Sequence, residues 1–191
     1  MRVIAGTLRS RTLAAPMGLS TRPTSDRLRE TLFNVLAPRI HGAAFLDLYA
    51  GSGAVGIEAL SRGASRVTFV ERAAPALKVL RANLDRLSLT HGFRIHSGTA
   101  GSFLRGPRSN AAQFEIVFLD PPYDAAGEYA TVLGLLAGEA SAFLAPGAVV
   151  IAEHRKKDVL DPQYGVLRRT RLLEQGDAAL SFYADITPDG Q

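Results

Sequence analysis

The chain has 191 residues, 47% of them hydrophobic, a mean hydropathy of +0.07 and no cysteine, which fits a single α/β domain and excludes disulfides, thiolate metal sites and a cysteine nucleophile. No apolar run approaches the roughly 20 residues of a membrane span, and residues 1–6 lack the apolar stretch of a signal peptide, so a soluble cytoplasmic protein is expected. The net charge is +4, yet residues 1–39 carry seven arginines against Asp26 and Glu30, a net of +5; a basic segment ahead of a near-neutral body suits a polyanion, although a solvated basic face has the same composition.

In chain order, residues 3–5 and 12–14 suit a small hairpin or extended arm with Arg9 and Arg11 between them. Pro16, Gly18 and Pro23 punctuate the next stretch. A helix begins near Thr24 or Ser25, either of which can cap it, with Asp26 favourable in the first turn. Leu28, Leu32, Val35 and Leu36 form its apolar stripe and Pro38 ends it. Strands are then predicted over 44–48, 66–70, 93–96, 116–119 and 148–152. Helices follow the first four: after Gly53, over about 74–87, near 101–104 and over about 128–136. Alternation of this kind implies a Rossmann-like, doubly wound, mostly parallel sheet. Segments 166–173 and 180–186 flank a turn, Glu174-Gln175-Gly176-Asp177, and read as a closing antiparallel hairpin. There is no internal repeat, linker or low-complexity tract. The four histidines, His41, His91, His96 and His154, have no metal-ligand spacing, and no metal is expected.

Two strand ends carry chemistry. Asp47-Leu48-Tyr49-Ala50-Gly51-Ser52-Gly53 joins the first strand to its helix. Glycines there let the backbone turn tightly and approach a ligand. Gly51, Gly53 and Gly56 satisfy the dinucleotide spacing G-x-G-x-x-G, but Asp47 repels a pyrophosphate and suits a ligand with cationic groups, such as the amino group and sulfonium of S-adenosylmethionine. Glu71, about 20 residues beyond the loop, stands where a carboxylate accepts ribose hydroxyls in either kind of site; a helix N-terminal acid is the alternative for it.

The second strand end is Asp120-Pro121-Pro122-Tyr123, after the apolar run 116–119. An amine on an aromatic ring is a poor nucleophile because its lone pair is delocalised. Asp120 and the Pro121 carbonyl offer two acceptors for the amine hydrogens, which favours a pyramidal nitrogen. Neither Pro121 nor Pro122 brings a competing N–H, and Tyr123 offers a ring to stack on the base. The corner therefore suits an exocyclic amine oriented for attack. A plain turn after a strand is the alternative.

Loop, ribose acid and D-P-P-Y corner, in this order, resemble a class I methyltransferase that modifies an exocyclic amine. The resemblance narrows at Arg2-Val3-Ile4-Ala5-Gly6, at Arg9 and Arg11, and above all at the block Arg22-Pro23-Thr24-Ser25-Asp26-Arg27-Leu28-Arg29-Glu30-Thr31-Leu32-Phe33-Asn34. Together with Glu58-Ala59-Leu60-Ser61-Arg62-Gly63-Ala64, these are similar to the RsmD family over nearly the whole chain.

That resemblance implies methyl transfer from S-adenosylmethionine, with S-adenosylhomocysteine as product and no metal, to a guanine N2 of 16S ribosomal RNA in the small ribosomal subunit, at a site of the position-966 type. It implies Asp47, Tyr49, Ala50, Gly51, Ser52 and Gly53 at the cofactor, Glu71 at its ribose, and Thr99 and Ala100 at the adenine, where relatives often carry Asp or Asn in place of Thr99. It implies Asp120, Pro121, Pro122 and Tyr123 around the target amine. Arg2, Arg9, Arg11, Arg22 and Arg27 are the expected RNA contacts. They lie in an extension over 1–39, ahead of a cofactor-binding core over 40–191, in one domain expected to act as a monomer. A DNA adenine-N6 or cytosine-N4 methyltransferase suits D-P-P-Y equally, but such enzymes flip a base from a duplex and no separate recognition region is visible. A dinucleotide-binding domain is opposed by Asp47 and the corner. Protein glutamine methylation usually has Asn where Asp120 stands.

Overall fold

The computed structural model describes residues 1–15, 25–107, 113–122 and 126–185. The first fifteen residues form the expected arm. Arg2 and Thr12 make an antiparallel bridge, with Val3 N donating to Arg11 O at 2.9 Å and Leu13 N to Met1 O at 2.9 Å. Helix α1 spans Asp26–Ile40, and Ser25 caps it by accepting from Leu28 N at 3.1 Å. Its stripe of Leu28, Leu32, Phe33, Leu36 and Ile40 is buried. Pro38 does not end the helix. It lies in the last turn, where its missing N–H forfeits one bond close to the terminus, and the helix runs on to Ile40.

The alternation then follows as β1 (Ala44–Leu48), α2 (Ala54–Ser61), β2 (Arg66–Glu71), α3 (Ala74–Arg86), β3 (Phe93–Ser97), α4 (Ala100–Arg105), β4 (Phe114–Leu119), α5 (Ala126–Ala137) and β5 (Leu144–Arg155). Three strands close the chain: β6 (Gln163–Tyr164), β7 (Leu167–Gln175) and β8 (Ala178–Asp185). The sheet order is β3-β2-β1-β4-β5-β8-β7-β6. The pairs from β3 to β5 are parallel and those from β5 to β6 antiparallel. This is the mostly parallel sheet with a closing hairpin. Among the described residues no helix is long and apolar enough to cross a membrane.

Three details differ from the sequence reading. β5 is longer than the expected 148–152 at both ends: Leu144 already pairs with Phe114 of β4, and β8 keeps pairing through Glu153↔Leu180, His154↔Ala179 and Arg155↔Ala178 after the β4 ladder has stopped at Leu119↔Ala152. Apolar character marks only its central part. The hairpin turn is tighter than four residues: Glu174↔Ala179 and Gln175↔Ala178 are paired, leaving Gly176, at φ 60°, and Asp177 to turn the chain. β6 has two residues, too few for any periodicity.

Strand alternation sorts side chains to two faces. Phe45, Ile116, Phe118, Val149 and Ile151 join Val3, Leu13 and the buried residues of α1, α2 and α3 in one core. Leu46, Leu48, Val117, Leu119, Val150 and Ala152 join Leu104, Leu133 and Leu136 in the other. The chain winds outward from β1 to β3 and returns to β4. The direction therefore switches between the carboxyl ends of β1 and β4, the crevice where open α/β sheets bind ligands.

Candidate active site

At the end of β1 the chain turns through three left-handed residues: Tyr49 (φ 65°), Gly51 (φ 55°) and Gly53 (φ 81°). Gly53 caps α2. A Cβ there would stand 2.3 Å from Leu80 Cδ1, and one at Gly56 would stand 2.2 Å from Phe69 Cε1. These two glycines let α2 and α3 sit close to the sheet. Gly51 differs: its φ favours glycine, yet a Cβ would meet nothing closer than Tyr49 O at 4.0 Å. Its open side leaves backbone accessible to a ligand. Ala50 and Ser52 are buried, and Ala50 N donates to Val70 O at 3.0 Å. Tyr49 is half-buried and its hydroxyl donates to Glu128 of α5; burial, then that carboxylate, raise its phenol above the ordinary range.

Glu71 ties this loop to β2. Its Oε2 accepts from Gly51 N at 2.8 Å and its Oε1 from Ala73 N at 2.7 Å. Thr99 caps α4, its Oγ1 accepting from Ser102 N at 3.0 Å. The hydroxyl is engaged by its own helix, and the buried Ala100 opens the first turn.

Acids gather at the switch point. Asp47 is 2% exposed, with Oδ2 accepting from Gly56 N at 2.9 Å. Burial raises its carboxyl to about 7; the Gly56 bond opposes this and the Glu71 charge adds to it. Asp120 follows β4 and continues the parity of Ile116 and Phe118, on the same face as Asp47. Burial first, then the charges of Glu153 and Asp47, push its carboxyl well above the usual range, although it keeps a partly exposed edge. Pro121 is buried and Pro122 exposed. The expectations for Tyr123 and Arg22 lie outside the described residues.

Glu153, 3% exposed on β5, is the acid that sequence reading missed. Its only signal was a carboxylate one residue past the last apolar strand run. It lines a cleft of about 910 Å³ between the start of α1, the end of β5 and the β7–β8 turn, together with Ser25, Arg27, Arg155, Lys156 and Lys157.

Arg27 therefore stands at this cleft, while the arm arginines are held elsewhere. Arg2, Arg9 and Arg11 are exposed, and Arg11 Nη2 donates to Arg86 O of α3 at 3.0 Å. A clasp fastens the arm. Glu58 of α2, fully buried, accepts from Ile4 N at 2.7 Å, Ala5 N at 3.0 Å and Arg62 Nε at 2.7 Å. Arg29, also fully buried, lies 3.8 Å from Glu58 and donates to Arg2 O and, at 3.0 Å, to Asp26. Ser61 donates to Ala5 O and accepts from Leu8 N at 2.9 Å. Asn83 accepts from Ala14 N at 2.8 Å and donates to Ser52 O at 3.0 Å, linking the arm to the glycine loop.

The family model described as Conserved hypothetical protein 95 matches residues 1–184. A Bacillus subtilis protein, YlbH, named provisionally as an rRNA methyltransferase, is 36% identical over 183 residues, covering 96% of this chain and 98% of that protein. Ribosomal RNA small subunit methyltransferase D of Haemophilus influenzae is 43% identical over 124 residues, which is 64% of each chain. The solved Escherichia coli protein yhhF superimposes with a TM-score of 0.83 at 34% identity, over 97% of both chains.

Proposed function

The chain belongs to the RsmD family of methyltransferases, and from that premise we propose that it methylates the exocyclic N2 amine of a guanine in small-subunit (16S) ribosomal RNA. S-adenosylmethionine supplies an electrophilic methyl group when bound, and the residues present suit it. Gly51 offers open backbone, Glu71 is anchored with its carboxylate at the loop, and Asp47 is a buried acid suited to an ammonium. The observation that carries the reading is Asp120: a half-buried acid beside two others at the sheet's switch point, followed by a buried proline.

Asp120 and the Pro121 carbonyl accept the amine hydrogens and return the lone pair to nitrogen. Preorganised acceptors of this kind stabilise charge as it develops on the nucleophile. Asp120 would take the proton that the amine sheds as the nitrogen accepts the methyl group a bound S-adenosylmethionine would supply. Burial and the neighbouring charges of Glu153 and Asp47 raise the proton affinity of this carboxyl, which favours its taking a proton. Tyr123 completes the reading as a base-stacking group, and Arg2, Arg9, Arg11, Arg22 and Arg27 as RNA-contacting groups. The target is a guanine already exposed in a folded particle, since unstacked bases dominate RNA recognition.

The test is incubation with tritiated S-adenosylmethionine and small subunits from a strain lacking the protein. Label is expected in guanine N2 at one nucleotide, to be mapped by mass spectrometry. No label there overturns the reading, and label in DNA in its place favours the DNA amino-methyltransferase alternative.

A further inference from the structure

Glu153 stands one residue past the last β4-paired position of β5, Ala152, and is held there by β8. Its parity with Val149 and Ile151 aims it to the face that carries Asp47 and Asp120. Asp120 feels its charge directly. The three acids do not converge as metal ligands, since among the described residues no such group of three is found.

The cleft above Glu153 has the charge pattern of a nucleotide site. Arg27, Arg155, Lys156 and Lys157 line it, with Asp177 as the other acid. Arg155 is paired with Asp158 at 2.8 Å and Lys156 with Glu174 at 2.7 Å, while Arg27 and Lys157 are exposed. Cations at the mouth suit phosphates, and a deep carboxylate suits the donor edge of a base.

Guanine presents two adjacent donors, the N1–H and the N2 amine. Adenine and cytosine place an acceptor ring nitrogen beside their exocyclic amine. A second carboxylate beside Asp120 therefore matches guanine and repels the other two. Resting on the guanine-N2 reading above, we infer that Glu153 accepts the guanine N1–H while Asp120 holds the amine, so that Glu153 selects guanine over adenine and cytosine. A site built to bond a substrate N–H rejects the analogue that lacks it strongly, because its polar groups are left unpaired.

The experiment compares the wild type with Glu153→Gln on small subunits carrying guanine or adenine at the mapped target. Glu153→Gln is expected to lower kcat/KM on guanine about 100-fold and to narrow the guanine-to-adenine ratio, because its amide can donate to adenine N1. Calorimetric affinity for S-adenosylmethionine stays within about twofold of wild type. An unchanged rate and ratio overturn the inference, as does a loss of rate that tracks a loss of cofactor binding. Wild-type enzyme on a target bearing 1-methylguanine gives a check that needs no variant: methylation is expected to disappear, and full methylation overturns the role. If the wild type places no label in guanine N2, the function reading fails; if it does and Glu153→Gln discriminates as before, only Glu153's role fails.

Discussion

Glu58 on α2 and Asp47 on β1 are both nearly inaccessible acids, and they keep different company. Glu58 is surrounded by donors: two backbone N–H groups of the arm, the Arg62 guanidinium, and Arg29 at 3.8 Å. Asp47 has one N–H, from Gly56, and two acids, Glu71 and Asp120, close enough to interact. The clasp around Glu58 brings its own counter-charges and serves as a fastener. The rim around Asp47 concentrates like charge, so its ionisation is left waiting for a cation or a donor from outside. Buried charge is costly unless paired; where the chain supplies the pair the role is structural, and where it supplies more of the same sign a ligand is the natural partner.

Asp120→Ala should have the largest effect. Loss of one preorganised acceptor at the reacting nitrogen is expected to lower turnover by about three orders of magnitude, with cofactor affinity changed by no more than a few-fold. Unaltered turnover in the labelling assay removes the rim from catalysis. Glu58→Gln tests the other side. It leaves the buried Arg29 with only the half-exposed Asp26 as counter-charge, and Arg29 Nε and Nη1 already have no hydrogen-bond partner among the described residues, so there is little reserve. A loss of about 3 kcal/mol is expected in urea unfolding, with the remaining folded fraction turning over normally. A variant as stable as wild type but catalytically dead would reverse the two assignments.

This contrast also explains what was legible in the sequence. The rim is written locally: Asp47 lies four residues before Gly51, Asp120 directly precedes Pro121, and strand ends are where α/β folds place ligands. The sheet order follows from alternation and the closing hairpin. The clasp is not local, since Glu58 meets partners 53 and 54 positions upstream, and no periodicity reports such a distance. Glu153 was hidden for a related reason: β8 extends β5 past the apolar run that marked it, and the acid's neighbourhood comes from the register with a strand about 30 positions later. Thr99 shows a third limit, because the resemblance that sets its hydroxyl near the adenine does not report that the same hydroxyl caps α4.

A smaller effect is expected from Asp47 through pH. Its carboxyl is raised to about 7 in the folded protein, from 3.8 as the ordinary value, and burial is the main cause. The folded state thus binds this proton more tightly than the unfolded state. Below about pH 4 both states are protonated and the group has no cost; between about pH 4 and about pH 7 stability falls as the unfolded chain ionises first. An ammonium ligand works in the opposite sense, since it needs the ionised form. Affinity for S-adenosylmethionine is expected to rise about tenfold from about pH 6 to about pH 8, and Asp47→Asn should flatten that rise. Calorimetric titrations across this range measure both. Equal slopes would place the ammonium elsewhere on the rim.

The finest distinction concerns the arginines. Arg9 on the arm and Arg27 at the cleft are both exposed, whereas Arg11 is engaged with Arg86 O. If each exposed guanidinium neutralises one phosphate, Arg9→Gln and Arg27→Gln should each lower the salt dependence of RNA binding by about one in log–log slope, and Arg11→Gln by less. Filter-binding titrations at several salt concentrations read this directly. A slope lowered by Arg27→Gln but untouched by Arg9→Gln confines the RNA path to the cleft above Glu153. The arm is then a fastener along its whole length, and its basic composition reflects solvation. Equal losses at both positions instead run the strand from the cleft across the arm, so that the clasp at Glu58 holds part of the RNA surface in place.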